Sequence, residues 1–307
     1  MSGGAGRLRM VRWLGFLLVA LSLFVVGASA YLRLDAAGLG CADWPACYGQ
    51  LLAGEPPPLY FGPARVFHRA VASLSLIVAV IVVWQCWRRP PLMPVAWPAT
   101  ALLGLMLVLS ALGIWSTDPR LTVVNLLNIL GGLGLVSFSW RVVLATSPSA
   151  GGSAMDAAHP LLRLGALCLT LTVFFGAMIG ARHAALTCAS FPDCAGNWFP
   201  RVGAETALGL LASLSGAPQA GDRAGEALHL LHRYSALATL LLLGGGAWRA
   251  LDERSKRRSA MLMLALLPAE VLLGGLLVLG NYSIEIAVAH GACAAAMLAT
   301  LVSLLRR

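Results

Sequence analysis

Long apolar runs, each closed by a short polar or charged segment, recur eight times along this chain. They read as Trp13 to Tyr31, Val66 to Trp87, Met93 to Trp115, Leu121 to Val143, Leu161 to Gly180, His229 to Trp248, Met261 to Gly280 and Ile284 to Leu305. Each supplies about the 20 residues that carry an α-helix across a bilayer. The pattern predicts an all-α polytopic membrane protein of eight spanning helices, arranged as two pseudo-symmetric four-helix bundles.

The two bundles follow from a repeat. "CADWPACYG" at 41–49 returns as "CASFPDCAG" at 188–196, keeping both cysteines, an aromatic residue, the proline and the closing glycine. After each cysteine loop a helix opens on His-Arg, in "FHRAVASLSLIVAV" at 67–80 and "LHRYSALATLLLL" at 231–243. The fourth helix of each half is "LTVVNLLNILGGL" at 121–133 and "IEIAVAHGACAAAML" at 284–298. His232 precedes His290 by 58 residues and His68 precedes Asn128 by 60, so Asn128 occupies the place of His290. The Ser/Gly/Ala/Pro-rich stretch 146–160 reads as a flexible linker between an N-terminal half, 1–145, and a C-terminal half, 161–307.

Composition agrees. The chain is 59% apolar and 11% charged, with a mean hydropathy of +0.80, against about 25% charge in a soluble domain. Its net charge of +9 is distributed as topology rather than as a nucleic-acid surface. Arg7, Arg9 and Arg12 precede the first run, Arg88 and Arg89 follow the second, Arg249 to Arg258 follow the sixth, and Arg306 and Arg307 follow the eighth. The positive-inside rule therefore predicts both termini in the cytoplasm, a retained first helix, and both cysteine loops outside a bacterial cytoplasmic membrane. In that oxidising compartment Cys41 with Cys47 and Cys188 with Cys194 read as structural disulfides. A zinc site would want His or further Cys nearby, and thiol–disulfide catalysis would favour Cys-x-x-Cys. Cys86, Cys168 and Cys293 lie within runs and read as packing residues.

Imidazoles inside spans are costly and usually functional or paired. His232 and His290 fall at matching depth near the outer ends of repeat-equivalent helices, where a four-helix bundle holds haem iron between two imidazoles. For His232 taken alone, a hydrogen bond to a neighbouring helix would suffice. Arg69 and Arg233, each following a histidine, suit anionic haem propionates or simple snorkelling to the interface. His159 reads as solvated, His183 as lying just past the fifth run, and His229, one turn before His232, as an interfacial side chain first, or else as a ligand or a partner of one. Glu285 and Glu226 also read as interfacial. Glu270, in the middle of the seventh run, reads either as a polar contact or proton relay near haem or as a protonated acid bonded to a neighbouring helix.

The stretch "YLRLDAAGLGCADWPACYGQ" resembles the first exterior loop of the haem A synthase family of cytochrome oxidase assembly proteins. "FHR", "GARHAALTCASFPDCAGNWFP", "LLHRYSAL" and "VAHGACAAAMLATLVSLL" are similar to its later landmarks, in order, so the resemblance spans about residues 13 to 305. It implies an iron-dependent membrane oxidoreductase that oxidises the C8 methyl of haem O to the formyl of haem A for haem-copper oxidases. It also implies a haem b cofactor on the residues matching its C-terminal pair, His232 and His290, and a substrate haem handled in the N-terminal half near His68. Haem O, a haem O synthase, oxidase assembly factors, membrane lipid and a second copy of the chain are the implied partners.

Two residues depart from the family pattern. Asn128 stands where the family has histidine, and Arg65 stands where it has glutamate, three residues before His68. Amide oxygen is a poor ligand for haem iron. Two readings follow: His68 alone binds the substrate iron, with Arg65 and Arg69 on its propionates, or the N-terminal half has lost its chemistry and the protein is a haem b-binding carrier or assembly paralogue.

Overall fold

The structure is a computed structural model describing residues 2–36, 62–115, 120–147, 159–203, 209 and 221–306. Cys41 and Cys47, and the disulfide expected between them, lie outside the described residues. Among the described residues, eight α-helices are long and apolar enough to cross a membrane. They are α1 (Ser2–Ala36), α2 (Pro63–Trp87), α3 (Met93–Leu112), α4 (Thr122–Ala145), α5 (Pro160–Ala181), α6 (Arg223–Ala250), α7 (Arg257–Leu279) and α8 (Ile284–Leu304).

Local chemistry sets several starts. Pro63 and Pro160 occupy first-turn positions, where a missing N–H costs nothing. His159 caps α5 by accepting from Leu161 N–H at 3.2 Å, and its other ring nitrogen lies 3.0 Å from Arg249. His159 thus joins the start of α5 to the end of α6 rather than standing free in solvent. Asp222 caps α6 by accepting from Gly225 N–H at 2.6 Å. That cap begins α6 six residues ahead of the apolar run and buries Glu226 in its first turn, where the helix dipole favours a carboxylate. The expectation of an interfacial Glu226 is corrected accordingly.

The first four helices pack as a closed ring, α1 on α2, α2 on α3, α3 on α4 and α4 back on α1. Helices α5 to α8 pack in sequence as well, with α5 and α6 in the most extensive contact, but α5 and α8 barely touch. Instead α4 lies against α5 and α8, and α1 against α8. One core gathers Val11, Leu18, Val82, Cys86 and Leu102; another gathers Leu162, Leu243, Met263, Met297 and Leu304. Leu133, Val136 and Ala295 fill the seam between α4 and α8. Lipid offers no hydrophobic drive between helices, so buried hydroxyl pairs mark the contacts, Ser22 with Ser139 and Thr172 with Thr239, each at 3.1 Å. Exposed Trp84, Trp97 and Trp248 lie near helix ends, as residues of a membrane interface do.

Candidate functional site

His232 on α6 and His290 on α8 face each other, ring centroids 6.2 Å apart and ring planes crossed at 81°. Small residues on the flanking helices make room for them. A Cβ on Gly176 of α5 would stand 3.0 Å from His232 Cε1, and one on Gly274 of α7 would stand 3.3 Å from His290 Cε1. Each imidazole therefore rests on a glycine of its neighbour.

The ring nitrogens are sorted by their partners. His232 Nδ1 lies 2.9 Å from the Thr172 carbonyl. A carbonyl only accepts, so Nδ1 carries the proton and Nε2 keeps its lone pair. Contacts of that kind fix the tautomer of metal-binding histidines. His290 Nδ1 lies 3.3 Å from Glu270 Oε1 on α7, but among the described residues it makes no hydrogen bond. His229 behaves oppositely. It is buried, and its Nε2 donates to the Ala184 carbonyl at 3.0 Å, which ties α6 to the segment after α5. Its expected interfacial position is thus corrected, and its Nε2 is committed.

An iron held between two imidazole nitrogens at about 2 Å each sets the ring centres roughly 6 Å apart, as these are. Among the described residues no group of three or more His, Cys, Asp or Glu could hold a metal ion. Two imidazoles are too few for a tetrahedral zinc site. They fit a metal that brings its own equatorial ligands, which is the case of haem.

The segment after α5 closes the same end of the bundle. Cys188 and Cys194 are disulfide-bonded and buried against Leu230. Arg233, the residue after His232, donates to the Pro192 carbonyl at 3.1 Å and to the Asp193 carbonyl, and lies over the Phe191 ring. One of its nitrogens, Nη2, is buried with no hydrogen-bond partner among the described residues. Arg233 thus anchors the disulfide loop. His183 is buried beside it, at a positive φ of 52°.

Tyr282, in the turn between α7 and α8, donates to the Cys188 carbonyl at 2.7 Å. Sequence reasoning missed it. Burial pushes its phenol from 10 up to about 12, against the opposing pull of Arg233. The neutral phenol therefore stabilises the fold fully below pH 10, and that contribution is lost as pH rises through the window to about 12. Tyr282→Phe should cost about 1 kcal/mol at neutral pH. It should also flatten the alkaline fall in thermal stability of the detergent-solubilised protein; an unchanged alkaline fall would place the titrating group elsewhere.

In the first half, His68 and Arg65 are partly buried near the start of α2 and Arg69 is exposed. Asn128 is partly buried on α4, and among the described residues no hydrogen bond joins it to His68. A facing pair is seen here on α6 and α8. A cavity of about 620 Å³, almost wholly apolar, opens between α1, α2 and α8. Phe67, beside His68, and Val288 and Ala292, two residues either side of His290, are in its wall. Two residues turn a helix by about 200°, so α8 presents His290 to one side and this wall to the other.

The Cytochrome oxidase assembly protein family matches residues 64–302. A protein of Shewanella oneidensis named heme A synthase is 28% identical over 95% of this chain and 94% of its own length. A heme A synthase of Shouchella clausii is 25% identical over 84% of this chain and 80% of its own. One of Symbiobacterium thermophilum is 33% identical over 41% of this chain and 39% of its own. With most of its length matched by the family and all eight spanning helices in place, the chain belongs to the cytochrome oxidase assembly protein family.

Proposed function

We propose that this protein is a haem A synthase, oxidising the C8 methyl of haem O to a formyl group in the bacterial cytoplasmic membrane. The facing of His232 and His290, ring centroids 6.2 Å apart, with His232 Nδ1 committed to the Thr172 carbonyl, carries the reading. In it these two residues hold haem b, which supplies one-electron iron chemistry when bound. The unpartnered Nη2 of Arg233 serves a propionate on the side of the disulfide loop. Substrate haem lies in the N-terminal half, 1–145, with His68 toward its iron and Arg65 and Arg69 toward its propionates. The C-terminal half, 161–307, is the electron-handling half, joined by the linker 146–160. Both termini face the cytoplasm and both cysteine loops the outside. The product passes to haem-copper oxidase assembly, and haem O arrives from a haem O synthase.

Asn128, standing where a second axial histidine would be, favours one other reading, a haem b carrier that assists assembly without oxidising haem O. Haem extraction separates the two. In cells that make haem O and lack any other synthase, this protein should produce haem A or its hydroxylated precursor. Haems B and O alone, with haem b still on the purified protein, would establish the carrier.

A further inference from the structure

The start of α1 and the turn between α2 and α3 form one corner of the bundle, and that corner carries charge without a counter-charge. Arg7 of α1 donates from Nη1 to the Arg88 carbonyl at 3.1 Å and from Nη2 to the Pro90 carbonyl, which ties the two segments together. Arg88 lies over the Trp84 ring, its Cζ 5.1 Å from the centroid. Carbonyls and indoles are neutral, so both guanidinium groups are held in place with their charge uncancelled. Arg89 is exposed beside them. Helices α2, α3 and α4 contain no Asp or Glu, and the single acid of α1, Asp35, lies at its other end.

The same corner presents indoles next to the charge. Trp84, Trp87 and Arg88 are spaced i, i+3 and i+4, so they share one face at the end of α2. Trp87 Nε1 donates to Thr100 Oγ1 of α3 at 3.0 Å, and its ring meets Trp97 of α3 edge to face at 5.5 Å. Trp84, Trp87 and Trp97 are all exposed. Indoles at the end of a spanning helix lie at the level of lipid headgroups, with apolar rings toward the acyl chains. An acidic protein docking from the aqueous side would meet the arginines but have no use for a wall of indoles turned to lipid.

The second half gives the contrast. The turn between α6 and α7 is basic too, yet it contains Asp252 and Glu253. Lys256 pairs with Glu253 at 2.7 Å, and Arg249 is turned to His159 at 3.0 Å. That corner spends charge within the protein, whereas the α2–α3 corner leaves it for a ligand.

We infer that Arg7, Arg88 and Arg89, with Trp84, Trp87 and Trp97, form a binding site for one anionic phospholipid, its phosphate at the arginines and its acyl chains along the indoles. In the proposed orientation this lipid belongs to the cytoplasmic leaflet. The inference is independent of the haem reading.

Native mass spectrometry of the purified full chain tests it, with the protein released from micelles doped equally with phosphatidylglycerol and phosphatidylcholine of the same acyl chains. Each arginine near an anionic headgroup is worth about fivefold, so the wild type should retain phosphatidylglycerol at least about tenfold over phosphatidylcholine. Arg88→Gln with Arg89→Gln should lower that ratio to about twofold or less. Arg257→Gln with Arg258→Gln removes the same charge from the exposed start of α7 and should leave the ratio in place. Ratios lowered alike by both double variants, or by neither, overturn the inference, because the preference would then not belong to this corner. Equal retention of the two lipids by the wild type overturns it without any variant and leaves the arginines to an acidic protein partner. Glycerophosphoglycerol, the same headgroup without acyl chains, should add no mass at equal concentration. Retention of it as strong as that of the lipid would mark a site for soluble phosphate and overturn the inference as well.

Discussion

Alanine at His232, or at His290, removes the low-spin b-type haem spectrum from the purified protein. In the proposed reading each residue would supply one of two axial bonds to the same iron, so the single variants should lose nearly as much as the double variant, the non-additivity expected of groups acting as a unit. At most a high-spin remnant should survive on the remaining imidazole. The control is His229→Ala. His229 lies one turn from His232 and is the more buried of the two, yet its Nε2 is spent on the Ala184 carbonyl. That variant should keep the low-spin spectrum while loosening the segment after α5. Pyridine haemochrome and visible spectra on equal amounts of folded protein give the comparison. Low-spin haem retained in both single variants would refute the ligand assignment and, with it, the electron-handling role of the C-terminal half.

The histidine pair was legible because it carried a repeat signal. Two polar residues at matching positions in duplicated helices stand out against apolar surroundings, and the same duplication exposed the cysteine loops. The eight helices were legible for the reason that makes membrane topology readable at all, since a spanning backbone must satisfy its hydrogen bonds within the helix and expose apolar side chains. What hydropathy could not report was where a polar helix continues. Helix α6 begins at Arg223 because Asp222 caps it there, a local hydrogen bond with no hydropathic trace. His229 and Glu226, which hydropathy alone places at the interface, are buried by that extension and by the segment after α5. Arg233 was read as a propionate partner from its place beside His232. Its contacts with the Pro192 and Asp193 carbonyls depend on a loop conformation that charge and spacing do not encode. Gly176 and Gly274 were indistinguishable from other small packing residues, since only the three-dimensional approach shows which glycine lies under which imidazole.

That approach is set one level down, in the crossing of α5 and α6. A Cβ on Gly165 would stand 2.6 Å from both Cα and N of Leu243, and one on Gly246 would stand 2.9 Å from the backbone nitrogen of Leu162. The two glycines lie under each other's leucines, so the antiparallel backbones touch, as small residues allow between membrane helices. The same interface continues through the Thr172–Thr239 hydroxyl pair to Gly176 beneath His232. Gly165→Ala therefore meets backbone, which cannot rotate away as a side chain can. It should cost about 3 kcal/mol or more, the upper range for overpacking. Spreading α5 from α6 also moves the Thr172 carbonyl off His232 Nδ1, so whatever folded protein remains should hold less low-spin haem. Gly104→Ala is the comparison. A Cβ there meets nothing within 4 Å, and Ala is the better helix former, so stability should hold or rise by about 0.5–1 kcal/mol. Thermal unfolding in detergent, followed together by helix content and haem absorbance, reads both effects. Equal behaviour of the two alanine variants would mean that the close crossing of α5 and α6 does not hold His232 in place.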